Sequence, residues 1–348
     1  MQRSNKLRMD PVLKITILAL SILSSAIALA HGNPGYSHDG GVKTSNPRWM
    51  TALKDDTLLS SLSLPGTHDS MAFYGGDAAQ TQALSLANQL ESGIRVLDIR
   101  CRHINDVFAI HHGMIFQKVY FGDVLNTVIA FLGKNPGETI FMRVKEEYNP
   151  ENNKLTFEQV FLDRYWTPNS SYFWQGTSDD PKLADVRGKI VVLQNFSADH
   201  RYGISYSSFI TQDDYNMKTN WDLYDKWTKV KTQFGKANQD TGTTRYINFM
   251  SGATGSFPYF VASGHSSPGS SASRLATGKT TPGWKSWKDF PRVDCALGIC
   301  TIAFEGTNIL AYERLGKDYK TRVGILMADF PGPGLIERTI ELNNRFKK

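Results

Sequence analysis

Eight short apolar runs, β-branched or alternating, punctuate this chain, and stretches of helical periodicity separate several of them. The runs are Leu62–Thr67, Ile94–Cys101, Val107–His111, Thr139–Lys145, Lys189–Asn195, Phe209–Asp213, Arg245–Ser251 and Arg322–Phe330. Between them Val124, Leu125, Val128, Ile129 and Leu132 recur at helical spacing until Gly133 and Pro136 stop the helix. Ala87–Leu90 belongs to a shorter helix, and Leu335, Ile336, Ile340, Leu342 and Phe346 outline an amphipathic C-terminal one. Strand–helix alternation is the signature of a parallel sheet, and eight strands is the number that closes one on itself. The expected fold is therefore α/β, a TIM-type (βα)8 barrel in a single domain. Residues 252–300, rich in Gly, Ser, Thr and Pro, read as a long loop before the last strand. Pro65-Gly66 reads as the turn that ends the first strand.

The N-terminus reads as an export signal. Arg3, Lys6, Arg8 and Lys14 form a basic region, an apolar run extends from Ile15 to Ala30, and Ala28-Leu29-Ala30 is a small-x-small cleavage site. The run is shorter than the roughly 20 residues that span a bilayer. The expected organisation is 1–30 signal peptide, 31–48 flexible lead and 49–348 barrel, secreted to the periplasm or beyond. The chain carries a formal charge of +6, and the signal contributes half of that excess. The remainder is too balanced for nucleic acid, although it allows weak attraction to an anionic membrane. In an exported protein Cys295 and Cys300 can close a small disulfide loop, leaving Cys101 as a buried apolar residue; the alternative is three free thiols. No cysteine spacing resembles a zinc site.

Chemistry collects at the C-terminal ends of the runs. His68 and Asp69 follow the first, Asp98 and Arg100 end the second, and His111 and His112 end the third. Lys145 ends the fourth, Asp213 the sixth, and Asp329 lies near the end of the eighth. In a parallel barrel these ends meet on one face. Singly, each reads best as a structural ion pair or a satisfied core histidine; together on one face they point to use. Two histidines with carboxylate partners make an acid–base pair, and an arginine between them suits a charged phosphoryl group. The combination fits metal-free phosphodiester cleavage. Alternation along a strand turns His111 away from the face that His112 occupies, so His111 is structural.

Leu62–Ser70, Val96-Leu97-Asp98-Ile99-Arg100, His111-His112-Gly113, Pro136-Gly137-Glu138-Thr139-Ile140 followed by Lys145, and Ala328-Asp329-Phe330-Pro331-Gly332 resemble the X-type catalytic domain of bacterial phosphatidylinositol-specific phospholipase C. The likeness extends over the chain beyond the signal and is densest from Trp49 to Tyr148. It implies a distorted barrel that cleaves phosphatidylinositol, and glycosylated anchors where the loops admit a glycan. The products are diacylglycerol and inositol 1,2-cyclic phosphate. By resemblance His68 is the general base with Asp329 as its partner, and His112 is the general acid with Asp69 as its partner. Arg100, oriented by Asp98, binds the nonbridging oxygens. Lys145, Asp213 and Tyr215 match positions that grip inositol hydroxyls. Asn195 stands where several bacterial members carry an arginine.

No cofactor or metal is expected, because Arg100 occupies the place where animal relatives hold calcium, although Glu146 and Glu147 remain as carboxylates able to ligate. The partner is an inositol phospholipid at a membrane surface, met by a monomer. Phe73, Tyr74, Tyr259, Phe260, Trp284 and Trp287 are candidates for lipid contact or for packing their own loops, with Trp284 and Trp287 favoured for contact. Two other readings compete. A metal-dependent glycerophosphodiester phosphodiesterase on a similar barrel usually opens with His-Arg-Gly, whereas this chain has Thr67-His68-Asp69-Ser70. A non-catalytic inositol-phosphate-binding module would tolerate loss of one histidine, whereas this chain keeps both.

Overall fold

A computed structural model describes residues 32–283 and 287–348; the expected signal peptide and Trp284 lie outside the described residues. All eight apolar runs contain strands. In chain order the strands are β1 (Leu64–Thr67), β2 (Val96–Ile104), β3 (Val107–His112), β4 (Ile115–Tyr120), β5 (Ile140–Glu146), β6 (Ile190–Asn195), β7 (Ile204–Ser205) and β8 (Ile210–Gln212). They continue with β9 (Asn216–Met217), β10 (Tyr246–Phe249), β11 (Ala253–Thr254), β12 (Ala276–Thr280), β13 (Arg292–Ala296), β14 (Ile299–Ala303) and β15 (Ile325–Ala328).

Eight of these form a parallel wall in the order β7-β6-β5-β2-β1-β15-β10-β8. The two ends, β7 and β8, are not joined by a ladder among the described residues, so the barrel is open there. Period-two alternation decides what faces where. Leu97, Ile99, Met142, Val144 and Val192 belong to the cluster that also holds Val124, Leu125 and Val128 of the helix Phe121–Lys134, on the outside of the wall. Val96, Phe141, Val191, Ile247, Phe249, Ile325 and Met327 form a separate cluster inside it. Continuing in steps of two toward the C-terminal ends, Val96 leads to Asp98 and Arg100, Phe141 to Arg143 and Lys145, and Leu193 to Asn195. The barrel interior is thus apolar at one end and charged at the other.

Four expectations change. Pro65-Gly66 does not end the first strand; it lies within β1. A Cβ at Gly66 would stand 2.7 Å from Met327 Sδ and 2.9 Å from Val96 Cβ, so the glycine permits close packing between β2 and β15. The chain turns only at Asp69, whose φ is 39°. The third run is not a wall strand either: β3 pairs antiparallel with β2 and with β4. Asn105 and Asp106, with φ of 52° and 56°, make the tight turn that reverses the chain. The eighth parallel strand is instead β7, two residues long and too short to show a pattern.

Residues 252–300 are no structureless loop. They hold the buried helix Pro258–Ser263 and most of a three-stranded antiparallel sheet, β12-β14-β13. β12 and β13 are largely exposed and none of the three strands shows a clean apolar alternation. Cys295 and Cys300 are bonded across the β13–β14 turn, and Cys101 is a buried free thiol. The expected flexible lead is docked from Asn33 onward: Tyr36 is buried and donates to the Pro268 carbonyl at 2.6 Å, and the Ser37 N–H donates to the Phe330 carbonyl at 3.1 Å.

At the apolar end, Arg95 and Glu138 form a fully buried pair at 2.8 Å. Arg95 also donates to the carbonyls of Leu90, Ile94, Asn46 and Pro47, and Glu138 accepts from the Met50 and Thr51 N–H groups. Removing one member leaves a buried charge unanswered. Glu138→Ala is expected to cost about 3–5 kcal/mol in urea unfolding; a loss under ~1 kcal/mol would show that the pair does not hold the lead segment to the barrel.

Candidate active site

His68 leaves β1 beside β15, with its N–H donating to the Ala328 carbonyl at 3.1 Å and its carbonyl accepting from Gln82 Nε2 at 2.8 Å. The ring is held from both sides. Nδ1 donates to Asp329 Oδ1 at 2.7 Å, and Nε2 accepts from Arg100 Nη2 at 2.8 Å. These partners assign the neutral tautomer with the proton on Nδ1 and the lone pair facing the site. Burial pulls the His68 pKa down and the Arg100 charge adds to that pull. The Asp329 charge and hydrogen bond outweigh both, leaving it above the ordinary histidine value.

Asp98 sits inside β2, fully buried. Its Oδ2 accepts from Arg100 Nε at 3.2 Å, from Arg100 Nη2 at 3.1 Å and from the Asp69 N–H at 3.0 Å; Oδ1 accepts from Arg143 Nη1 at 3.2 Å. Burial would raise its pKa, but Arg100 and Arg143 hold the carboxyl far below the usual range. Arg143, on β5, was not foreseen. It stands opposite Asp98 in the β2–β5 ladder, as Lys145 stands opposite Arg100. The signal that would have found it is its place two residues before Lys145, on the same face of the strand.

Asp69 is buried, and neither carboxylate oxygen has a hydrogen-bond partner. Oδ2 lies 3.7 Å from Arg100 Nε and 3.7 Å from His112 Nδ1, within ion-pair reach but outside hydrogen-bond reach. Burial pushes the Asp69 carboxyl up, against Arg100 and His112. His112 Nδ1 instead meets the Ala79 carbonyl at 2.7 Å, which directs Nε2 elsewhere, and its side chain is a quarter exposed. His112 reaches the mouth on the β3–β4 hairpin rather than from a wall strand. His111 is buried with its ring against Phe116, on the opposite face as expected.

The remaining candidates scatter around this centre. Lys145 donates to Glu147 Oε2 at 2.8 Å, and Glu147 Oε1 accepts from the Gly113 N–H at 3.0 Å and lies 3.9 Å from Arg100. Asn195 accepts from Arg143 Nε at 2.9 Å. Asp213 and Tyr215 are exposed just after β8. Among the described residues no group of three or more His, Cys, Asp and Glu side chains is arranged to hold a metal ion.

Of the aromatic candidates, Phe73 is half-buried and Tyr74 is exposed with Lys118 Nζ 4.0 Å from its ring centre. Tyr259 and Phe260 are buried in the helix Pro258–Ser263, and Trp287 is stacked on Tyr224 and packed edge-on against Phe290. These three rings pack the body of the protein, because their own sheet and helix need a core. The exposed apolar groups on or beside β4 are Met114, 70 % exposed, next to the His112 strand end, and Phe116 and Tyr120. Their alternation with Ile115, Gln117 and Val119 was present in the sequence.

Removing the Asp329 charge leaves burial and Arg100, which lower the His68 pKa, opposed only by the more weakly acting Asp98 charge. In Asp329→Asn the His68 ring, followed by NMR, is expected to titrate below its ordinary value, whereas in the native chain it titrates above it. Equal titration in both would mean that the ion pair is not what sets the base.

Residues 59–196 match the family model for phosphatidylinositol-specific phospholipase C, X domain. A 1-phosphatidylinositol phosphodiesterase of Listeria monocytogenes is 40 % identical over 191 residues, which is 49 % of this chain and 58 % of the relative. The match thus spans little more than half of that relative's length. The enzyme of the same name from Staphylococcus aureus strain Newman is 30 % identical over 272 residues, covering 69 % of this chain and 87 % of the relative. The solved phosphatidylinositol-specific phospholipase C of L. monocytogenes superposes with a TM-score of 0.60 at 28 % identity, covering 87 % of this chain and all of that one.

Proposed function

The chain belongs to the phosphatidylinositol-specific phospholipase C family, and on that premise we propose that it cleaves phosphatidylinositol to diacylglycerol and inositol 1,2-cyclic phosphate by histidine acid–base catalysis without a metal. The observation that carries the reading is the contact between Arg100 Nη2 and His68 Nε2 at 2.8 Å. A guanidinium N–H directed at the lone pair of a base marks where a phosphate oxygen and a hydroxyl proton would each find their partner.

When the substrate phosphate enters, its nonbridging oxygens take the Arg100 N–H groups, a pairing that the planar fork favours. That frees the His68 lone pair to accept the proton of the inositol 2-hydroxyl. The oxygen attacks the phosphorus to which its own ring is already tethered, which removes much of the entropic part of the barrier. His112 gives a proton to the departing diacylglycerol oxygen. Asp329 holds the His68 tautomer and stabilises the imidazolium that forms. Asp69 faces both Arg100 and His112, so its charge supports the acid as it is regenerated. Lys145, Asn195, Asp213 and Tyr215 border the place where the ring would lie.

The reaction needs a lipid surface. Met114, two residues beyond His112 at the β3–β4 turn, with the exposed Phe116 and Tyr120 on the flank that carries His111 and with Tyr74 and Lys118, makes the hairpin apolar and cationic on its outer side, and we assign lipid contact to it in place of Trp287. The Cys295–Cys300 disulfide supports export to an oxidising compartment, and we propose that the enzyme acts there as a monomer.

Two measurements test this. With phosphatidylinositol vesicles and excess chelator, phosphorus NMR is expected to show the cyclic product first, and His68→Ala and His112→Ala are each expected to slow it about 10²–10⁴-fold. Loss of activity in chelator, or survival of either variant, would sink the mechanism. Met114→Ser is expected to weaken vesicle partition about 10-fold, the equivalent of one largely buried apolar side chain, while a soluble monomeric substrate is cleaved at the native rate. Unchanged partition would place lipid contact elsewhere.

A further inference from the structure

Arg143 has no part in the mechanism above, yet its guanidinium is almost fully buried within the charged end of the barrel, where the removal of a charge from water must be answered by specific partners. It reaches two neighbouring strands at once. Nη1 donates to Asp98 Oδ1 on β2 at 3.2 Å, and Nε donates to Asn195 Oδ1 on β6 at 2.9 Å. One face of the guanidinium lies against Tyr206, 4.3 Å from the ring centre, and the Phe249 ring lies at 5.6 Å. The group is therefore fixed in direction as well as place.

A carboxylate held through one oxygen swings about its terminal torsion, which is broad. Asp98 holds Arg100 through Oδ2 alone. The Arg143 bond to Oδ1 removes that freedom. The register makes the geometry specific, since Asp98 and Arg143 are direct partners across the β2–β5 ladder. Lysine has no planar fork and cannot donate along two fixed directions to acceptors on opposite sides.

We propose that Arg143 is a positioning residue that acts through Asp98: it fixes the plane of that carboxylate and thereby aims Arg100 at the phosphate. The proposal rests on the reading of Arg100 as the group that binds the nonbridging oxygens, and it adds a residue outside substrate contact to that reading. Asn195 then serves to hold Arg143 in place.

The test uses phosphorothioate analogues of phosphatidylinositol. The two nonbridging positions are stereochemically distinct, so an arginine aimed at one of them makes the enzyme prefer one diastereomer. Arg143→Lys and Arg143→Met are compared with the native chain and with Arg100→Lys, and folding is checked by thermal melting. In Arg143→Lys, kcat is expected to fall about 10- to 100-fold with KM within about twofold, and the diastereomer preference is expected to fall toward that of Arg100→Lys. Arg143→Met is expected to lose more of both. If the Met variant does not fold, the Lys variant reads the same quantities.

A rise in KM with kcat and preference intact would make Arg143 a head-group contact and overturn the proposal. Native kcat and preference in Arg143→Lys would overturn it as well. If Arg100→Lys itself keeps the native preference, it is the reading of Arg100 that fails, a result distinguishable from failure of Arg143 alone.

Discussion

A carboxylate with no exposed surface in a barrel wall is tolerable only if its charge is answered on the spot, and Asp98 is that group. Two guanidiniums and the Asp69 N–H converge on it. Such a network is a weak source of stability, because desolvation cancels most of the attraction. It is a strong source of fixed geometry, because every member has lost its freedom before any ligand arrives. Arg100 inherits its direction from Asp98, and through Arg100 the Nε2 side of His68 is defined. Asp69, tied to Asp98 by its backbone, places a carboxylate that makes no hydrogen bond within ion-pair reach of both Arg100 and His112.

The site joins two kinds of structure. The wall strands β1, β2, β5 and β15 carry or deliver His68, Asp98, Arg100, Arg143, Lys145 and Asp329, and their ladders hold these groups in register. The β3–β4 hairpin is an outgrowth of β2 that folds back over the mouth. It carries His112 on one flank and the exposed Met114 and Phe116 close by. Proton donation and lipid contact thus lie on one small element, so contact of the hairpin with a surface bears directly on the acid.

Much of this was legible in the chain. The apolar runs became strands because period-two alternation is a local property, and the same alternation separated His112 from His111 and placed Asp98 with Arg100. That strand ends meet on one face put His68 and Asp329 together, but their pairing was implied only by the family resemblance. Pro65-Gly66 misled because the pair usually marks a turn; here the glycine answers crowding by Val96 and Met327, residues about 30 and 260 positions away, which local reading does not sense. Asn105-Asp106 is itself a hairpin signal and, weighed against the apolar runs on either side, marks β3 as antiparallel. Trp287 was misplaced because Gly and Lys neighbours suggest exposure, while the rings that cover it come from Tyr224 and Phe290.

Local composition and periodicity by themselves determined that the eight apolar runs hold strands, which side of those strands is polar, and which residue types are available for acid–base chemistry. These follow from backbone geometry that acts over a few residues. Only the tertiary structure decided that Arg143 meets Asp98, that Asp69 stands without a hydrogen bond between Arg100 and His112, and that Trp287 is covered by Tyr224 and Phe290. Each of those depends on contacts between segments far apart in the chain, where register, burial and the need to answer buried charge override local preference.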